Sequence, residues 1–294
     1  MMAELIPVPM KSEIVIATRR SALAMAQAHT AQGLLQLAHP DRVVKLLPMT
    51  TQGDEKVKWS LSKEGGKGLF TTDLEHAVIE GEADYAVHSG KDLPTEFLDG
   101  LEISGYLPRE DPRDVLVFRE DLKGDPQFIA TGSPRRRHQL KLLFPGAKWT
   151  EIRGNVETRM RKISDGYADA TVLAAAGLNR LGIKGYPGLS FFTLPVDDCV
   201  PAAAQGAIAI QGRTGESELW DSCICKKTTA DVLIERRALQ ALGGGCHSAS
   251  AAFVEKGTLY LYDHVVGRHE TDCSVTGFDP EAWIKQLRHQ HFSV

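Results

Sequence analysis

Apolar residues recur along this chain in two alternating rhythms. Glu13-Ile-Val-Ile-Ala-Thr18 is a short β-branched run and predicts a strand. Ser21 then opens an Ala-, Leu-, Met- and Gln-rich stretch to about Leu37, which predicts a helix with Ser21 near its N-cap. Val43 to Leu47 reads as a strand, and the polar, Gly- and Lys-rich stretch Thr51 to Lys67 reads as a long mobile loop. The spacing of Leu74, Ala77 and Val78 predicts a helix over Thr72 to Glu80, stopped by Gly81. Tyr85 to His88 and Leu101 to Tyr106 are strand-like.

The pattern then restarts. Strands are expected at Asp114 to Phe118, Gln127 to Thr131, Trp149 to Ile152 and Ala170 to Leu173. Helices are expected from Pro134 to about Leu143, from Val156 to Gly166 and from Ala175 to Leu181, with Pro134 suited to a first helical position. Strands alternating with helices predict an α/β fold with largely parallel sheets. Each half starts with a strand running into an anion-competent turn and helix, at Thr18 to Ser21 and at Thr131 to Pro134. That repetition predicts two similar α/β domains facing a cleft. A third, α+β region follows. It has an amphipathic helix from Thr228 to Leu242 ending on Gly243-Gly244-Gly245, strands at Ser250 to Val254, Gly257 to His264 and Cys273 to Gly277, and a closing helix from Pro280 to about Gln290.

Composition narrows the class. The chain has 294 residues, 43% hydrophobic and 24% charged, as in an ordinary globular protein. No run approaches the roughly 18 apolar residues of a membrane span. Met1 to Lys11 has neither the apolar stretch of a secretory signal nor the Arg/Ser-rich character of a transit peptide, so a cytoplasmic location is expected. The five cysteines read as free thiols in a reducing compartment, and Cys223-Ile-Cys225 has the wrong spacing for a zinc or redox pair, so no metal is expected.

The net charge of −4 is unevenly spread. Thr131 to Arg180 holds ten basic and four acidic residues, a local surplus of six, and seven of the 18 arginines. A basic stretch in an otherwise acidic chain suits a pocket for a compact polyanion better than a nucleic-acid surface, which makes a whole domain basic. Arg19, Ser21, Ser133, Arg135 and Arg136 stand at predicted helix N-termini, where free N–H groups favour anions. A solvated basic helix face is the alternative for any one of them. Arg153 and Arg159 add two guanidiniums at another strand end, and such convergence at carboxyl ends of strands marks ligand sites in open α/β sheets. Asp92, in His88-Ser89-Gly90-Lys91-Asp92, is either a turn former or, set among so many arginines, a carboxylate in an anion site, which suggests that a cation is also stabilised there. Gly65-Gly66-Lys67-Gly68 lacks the Ser or Thr that a phosphate-binding P-loop needs after its Lys. Cys246, behind three glycines, is either a loop thiol or a tethered nucleophile.

The order of motifs closely resembles the porphobilinogen deaminase (hydroxymethylbilane synthase) family from about Ile14 to Val254. The matching runs include Ile16-Ala-Thr-Arg-Arg-Ser21, Thr50-Thr-Gln-Gly-Asp54, Gly65-Gly-Lys-Gly-Leu-Phe70, Ala86-Val-His-Ser89 with Lys91-Asp92, and Arg109-Glu-Asp-Pro-Arg-Asp114. They continue through Arg135-Arg136, Arg153-Gly-Asn-Val156, Ala174-Ala-Ala-Gly-Leu178, Pro201 to Ala207 and Gly244-Gly-Cys246.

The resemblance implies two periplasmic-binding-protein-like α/β domains around a cleft plus a small α+β C-terminal domain. The implied division is 1–108 with 202–221, 109–201, and 222–294, with the lid at about 51–67. It implies an enzyme of tetrapyrrole and haem biosynthesis that joins four porphobilinogens head to tail, releasing ammonia and then linear hydroxymethylbilane. A dipyrromethane cofactor would be held by a thioether to Cys246. Asp92 matches the central catalytic residue. Ser89, Lys91, Asp92, Thr131, Ser133, Arg135, Arg136, Arg153 and Arg159 match cofactor-binding positions. Arg19, Ser21, Gln27, Arg153, Arg159 and Arg180 match positions linked to substrate or chain carboxylates. Porphobilinogen is then the small-molecule partner of a monomer, with no nucleic acid and no membrane. Each ring carries an acetate and a propionate, so a six-ring chain has about twelve negative charges to be met by guanidiniums. Gly90, Gly132, Pro134, Ala204 and Gly243 depart from the family's usual bulkier apolar residue, Ser, Leu, Gly and Glu. The rival is a non-catalytic solute binder of the same two-lobed architecture, which needs neither Asp92 nor Cys246.

Overall fold

In the computed structural model, which describes residues 12–51, 71–94, 97–243 and 248–292, the strands gather into three sheets. The first sheet is built from β1 (Glu13–Arg19), β2 (Val43–Met49), β3 (Tyr85–Ser89) and β4 (Leu101–Tyr106), with α1 (Ala22–Ala38) and α2 (Thr72–Ile79) packed on it. The β-branched residues of β1 have buried alternates at Ile14 and Ile16, against which α1 lays Ala28, Ala31 and Leu35. These residues recur at one helical face, so the stripe is a consequence of the 3.6-residue period.

The second sheet repeats the plan with β5 (Asp114–Arg119), β6 (Phe128–Ala130), β7 (Lys148–Thr150), β8 (Ala170–Ala174) and β9 (Leu189–Thr193). Its helices are α3 (Pro134–Leu143), α4 (Val156–Ser164) and α5 (Ala175–Arg180). The chain then returns to the first sheet as β10 (Ile208–Arg213). Strand orders are β2-β1-β3-β10-β4 and β7-β6-β8-β5-β9. In each, the fourth strand is the one delivered by a crossing from the other lobe, and it runs antiparallel to both neighbours. The expectation of largely parallel sheets is corrected to mixed sheets. The two crossings, between β4 and β5 and between β9 and β10, are the covalent links between the lobes.

A third sheet of β11 (Ala251–Glu255), β12 (Thr258–Asp263) and β13 (Gly267–Asp272) is antiparallel and is covered by α6 (Lys226–Ala241) and α7 (Pro280–Phe292). Its last strand lies earlier than the predicted Cys273 to Gly277. Gly-Arg-His-Glu-Thr-Asp has no apolar alternation, because an edge strand need bury neither face strongly. β9 and β10 also lie outside the predicted set. α6 closes on Gly243 with φ +66, the left-handed conformation expected of a helix-ending glycine. No described helix is long and apolar enough to cross a membrane. Cys199, Cys223, Cys225 and Cys273 are free thiols.

Candidate functional site

The carboxyl ends of β1 and β3 and the start of α1 build one wall of a pocket lined by Arg19, Ser21, Gln27, Thr71, Ser89 and Asp92. Ser21 is the N-cap of α1, its hydroxyl oxygen accepting from the Ala24 N–H at 3.3 Å. The buried Gln27 amide donates to the Ser89 hydroxyl at 2.9 Å and accepts from it at 3.0 Å, which locks the last residue of β3 against α1. Beneath them His88 is buried and hydrogen-bonds the Gln211 carbonyl oxygen through Nε2 at 2.9 Å, and Gln211 donates to the buried Glu75 at 3.1 Å. Burial lowers the His88 pKa to about 4, with the charge of Arg19 acting in the same direction, so the ring is neutral near pH 7.

After β3 the chain makes one 3-10 turn, Gly90–Asp92. It exposes Asp92 and directs the Lys91 amine to the Gln205 carbonyl oxygen at 3.3 Å. Burial lowers the Lys91 pKa to about 8; Arg136 and Arg135 push it the same way, while Asp92 and Asp114 oppose them.

The other wall comes from the second lobe. Ser133 caps α3, accepting from the Arg136 N–H, and Pro134 occupies the first helical position as expected. Buried Thr131 accepts from the Ser133 N–H at 3.2 Å. Asn155 caps α4, accepting from the Thr158 N–H at 2.8 Å. Arg159 donates to the Gly154 carbonyl at 2.7 Å. Burial lowers its pKa to about 10, with the positive charges of Arg136 and Arg153 adding to the effect and Asp92 opposing it. Asp92, Lys91, Arg136, Arg153 and Arg159 thus form one electrostatic group spanning the cleft. Lys91 and Arg159 are depressed first by burial and then by the neighbouring guanidiniums, so the group favours the approach of an anion.

Arg135 and Arg136 are placed differently from a pair of open ligand-binding guanidiniums. Both are buried, and both pair with the fully buried Asp114 at the head of β5, at 2.7 Å each. Arg135 also donates to the Val200 carbonyl and Arg136 to the Val172 carbonyl, each at 2.8 Å. Gln205 donates to the same carboxylate at 2.9 Å. Burial alone raises the Asp114 pKa, but the two guanidiniums outweigh it and hold the carboxyl far below the usual range. Arg180 donates to the Gly206 carbonyl at 2.6 Å on the second crossing. Cys246 and nearly all of the predicted lid fall outside the described residues. A separate cavity of about 460 Å³, between Asp111–Arg113, Pro195–Asp197, Glu255 and Tyr260, contains none of the predicted site residues.

Residues 14–221 match the family model described as porphobilinogen deaminase, dipyromethane cofactor binding domain. The chain belongs to the porphobilinogen deaminase family. It is 37% identical to the porphobilinogen deaminase of Streptococcus sanguinis over 94% of each chain. It is 42% identical to that of Chromobacterium violaceum, over 85% of this chain and 82% of the relative. Among solved structures it is similar to the periplasmic VFT2 domain of Bordetella pertussis BvgS, with a TM-score of 0.45, 18% identity, and 76% of this chain and 92% of the other covered. It is also similar to the periplasmic aliphatic sulphonate binding protein SsuA of Escherichia coli, with a TM-score of 0.43, 14% identity, and 79% and 70% covered.

Gly132 leaves room for a side chain, since a Cβ there meets nothing nearer than the Ile152 carbonyl at 3.6 Å. Four supporting residues carried no role in the sequence analysis: Asp114, Gln205, His88 and Glu235. The signal for Asp114 is a charged residue heading the otherwise apolar run Val-Leu-Val-Phe. Glu235 is a carboxylate inside an amphipathic helix and gives no such signal. It is fully buried and bidentate with Arg109, at 2.6 and 2.9 Å.

Proposed function

We propose that this chain is a hydroxymethylbilane synthase. It joins four porphobilinogens stepwise on a dipyrromethane carried by Cys246, with loss of four ammonia, and after hydrolysis releases linear hydroxymethylbilane for tetrapyrrole synthesis. The family match over residues 14–221 carries the reading. The surplus of positive charge around Lys91, Arg136 and Arg159 supports the fit of a polycarboxylate cofactor. When bound, the dipyrromethane supplies the nucleophilic end ring onto which each new pyrrole is added.

The chain's own residues supply placement and charge. Arg19, Ser21, Gln27 and Arg180 hold the acetate and propionate groups of the incoming porphobilinogen and the growing chain. Ser89, Lys91, Thr131, Ser133, Arg153 and Arg159 hold the cofactor, and Arg135 and Arg136, paired with Asp114, fix the start of α3 beneath it. The aminomethyl group leaves as ammonia, pushed out by the electron-rich pyrrole. The Asp92 carboxylate faces the pyrrole N–H and stabilises the resulting cation, a charge-stabilising role that a preorganised carboxylate fills in a cleft. One carboxylate serving four rounds requires the chain to advance past it, and the two crossings between lobes are where the motion is placed. The division is 1–108 with 202–221, 109–201 and 222–294, and the enzyme is monomeric and cytoplasmic.

Asp92→Asn tests this. Intact mass should show the cofactor retained, while turnover of porphobilinogen falls by about two orders of magnitude or more, the scale of a catalytic group. Turnover near that of the parent removes Asp92 from the role.

A further inference from the structure

Gly90 and Ala204 lie far apart in sequence and meet in the fold. A Cβ built on Gly90 would stand 2.9 Å from the Ala204 methyl and 3.2 Å from the carbonyl oxygens of Ala204 and Ala207. Real Cβ atoms do not approach to 2.9 Å, and two of the obstacles are backbone. Gly90 is not among the glycines with positive φ, so space rather than conformation excludes a side chain. Ala204 is the converse. Its φ is +59, a conformation that glycine adopts freely and an L-residue adopts at a cost. The chain therefore carries a methyl where the backbone conformation favours glycine, and a glycine whose φ suits any residue but whose space is filled by that methyl and two carbonyl oxygens.

The surroundings give this exchange a consequence. Ala204 is 1% exposed, within a cluster containing Leu93, Tyr106 and Val232. The Ala204 N–H donates to Glu235 Oε2 at 2.8 Å, and Glu235 is itself fixed by Arg109 and by the Val254 N–H. The loop is thus pinned from the third sheet's helix. On its other side it receives the Gly90 N–H at the Ala207 carbonyl, 2.9 Å, and the Lys91 amine at Gln205. The turn that presents Lys91 and Asp92 rests on this loop at three points: the methyl, the carbonyl and the amide oxygen.

We propose that Gly90 and Ala204 are a matched pair of positioning residues for Asp92. The Ala204 methyl seats on the open face of Gly90 and sets the height of the 3-10 turn, and a side chain fits at one position only when the other is glycine. The proposal rests on the reading of Asp92 as the central carboxylate.

A double-mutant cycle on the cofactor-loaded enzyme reads the pairing. Gly90→Ala should retain the cofactor mass and lower kcat by about tenfold or more, with KM within about threefold, because small displacements at a reacting group are costly. Ala204→Gly should lower kcat by about two- to threefold through the lost contact. The double variant should recover to within about threefold of the parent in kcat and regain most of the Tm lost by Gly90→Ala, the non-additivity expected of touching residues. Parental kcat in Gly90→Ala overturns the proposal. So does a double variant whose losses in kcat are the product of the single losses. Should Gly90→Ala fail to fold, a soluble and active double variant supports the pairing and an insoluble one overturns it. The Tm cycle does not depend on Asp92. Coupling in Tm together with parental turnover of Asp92→Asn would support the contact and sink the reading of Asp92.

Discussion

His88 is the residue at which burial dominates the chemistry most plainly. It sits in the strand that leads into Asp92, neutral, with Nε2 committed to Gln211 and its pKa lowered to about 4. An unfolded histidine titrates near 6.5, so between pH 6.5 and 4 the unfolded chain binds the extra proton and the folded one does not. Stability contributed at this residue is complete above pH 6.5 and is lost on acidification through that window, by roughly 3 kcal/mol in all. Denaturant titrations of the parent should show a falling unfolding free energy from pH 6.5 to 5, and His88→Gln should flatten that slope. An unchanged slope in the variant would show that His88 is not held neutral. The neutral ring also keeps a second positive charge away from Arg19.

Helix α3 is the element whose packing was least legible. Its buried face is Arg135, Arg136, Gln139 and Leu140, three polar residues and one aliphatic, so it shows no apolar stripe. The cap signals located it anyway, because Ser133 before Pro134 specifies a helix start by backbone chemistry alone. What those signals left open is where the guanidiniums go. Sequence alone pointed Arg135 and Arg136 outward to an anion, whereas Asp114, distant in the chain, takes both. That pairing depends on β5 crossing from the other lobe into the sheet beside β8, a long-range event that no local pattern encodes. Removing one partner of such a buried group leaves poorly compensated charge and costs about 3–5 kcal/mol. Arg136→Leu should lose that much by chemical denaturation, and the loss should shrink in an Asp114→Asn background. Parental stability in Arg136→Leu would contradict the buried pairing. β10 escaped for a related reason: its Ile-Ala-Ile-Gln-Gly-Arg run is apolar enough, but its partners β3 and β4 lie a whole lobe earlier in the chain.

At the scale of the whole molecule, charge and connectivity serve one design. The surplus of basic residues between Thr131 and Arg180 belongs to the second lobe, and Asp92 and the Arg19 pocket belong to the first. Between them, Lys91 and Arg159 are depressed by burial and by neighbouring positive charge. The two crossings carry Arg109, Gln205 and Gly206, and each is tied to a different part of the fold: Arg109 to Glu235 on α6, Gln205 to Asp114 on β5, and the Gly206 carbonyl to Arg180 on α5. Arg109 thereby ties the first crossing directly to the helix that precedes Gly243 in the chain. The two-lobed α/β plan and the trailing α+β region were legible because strand and helix periods are local. The antiparallel crossing strands were not, since their direction is set by the return of the chain. The central claim is that Cys246 carries a dipyrromethane, and intact mass spectrometry tests it most directly. Protein from cells able to make porphobilinogen should carry an adduct of two linked pyrroles that is absent in Cys246→Ala; an unmodified parent mass from such cells would contradict it.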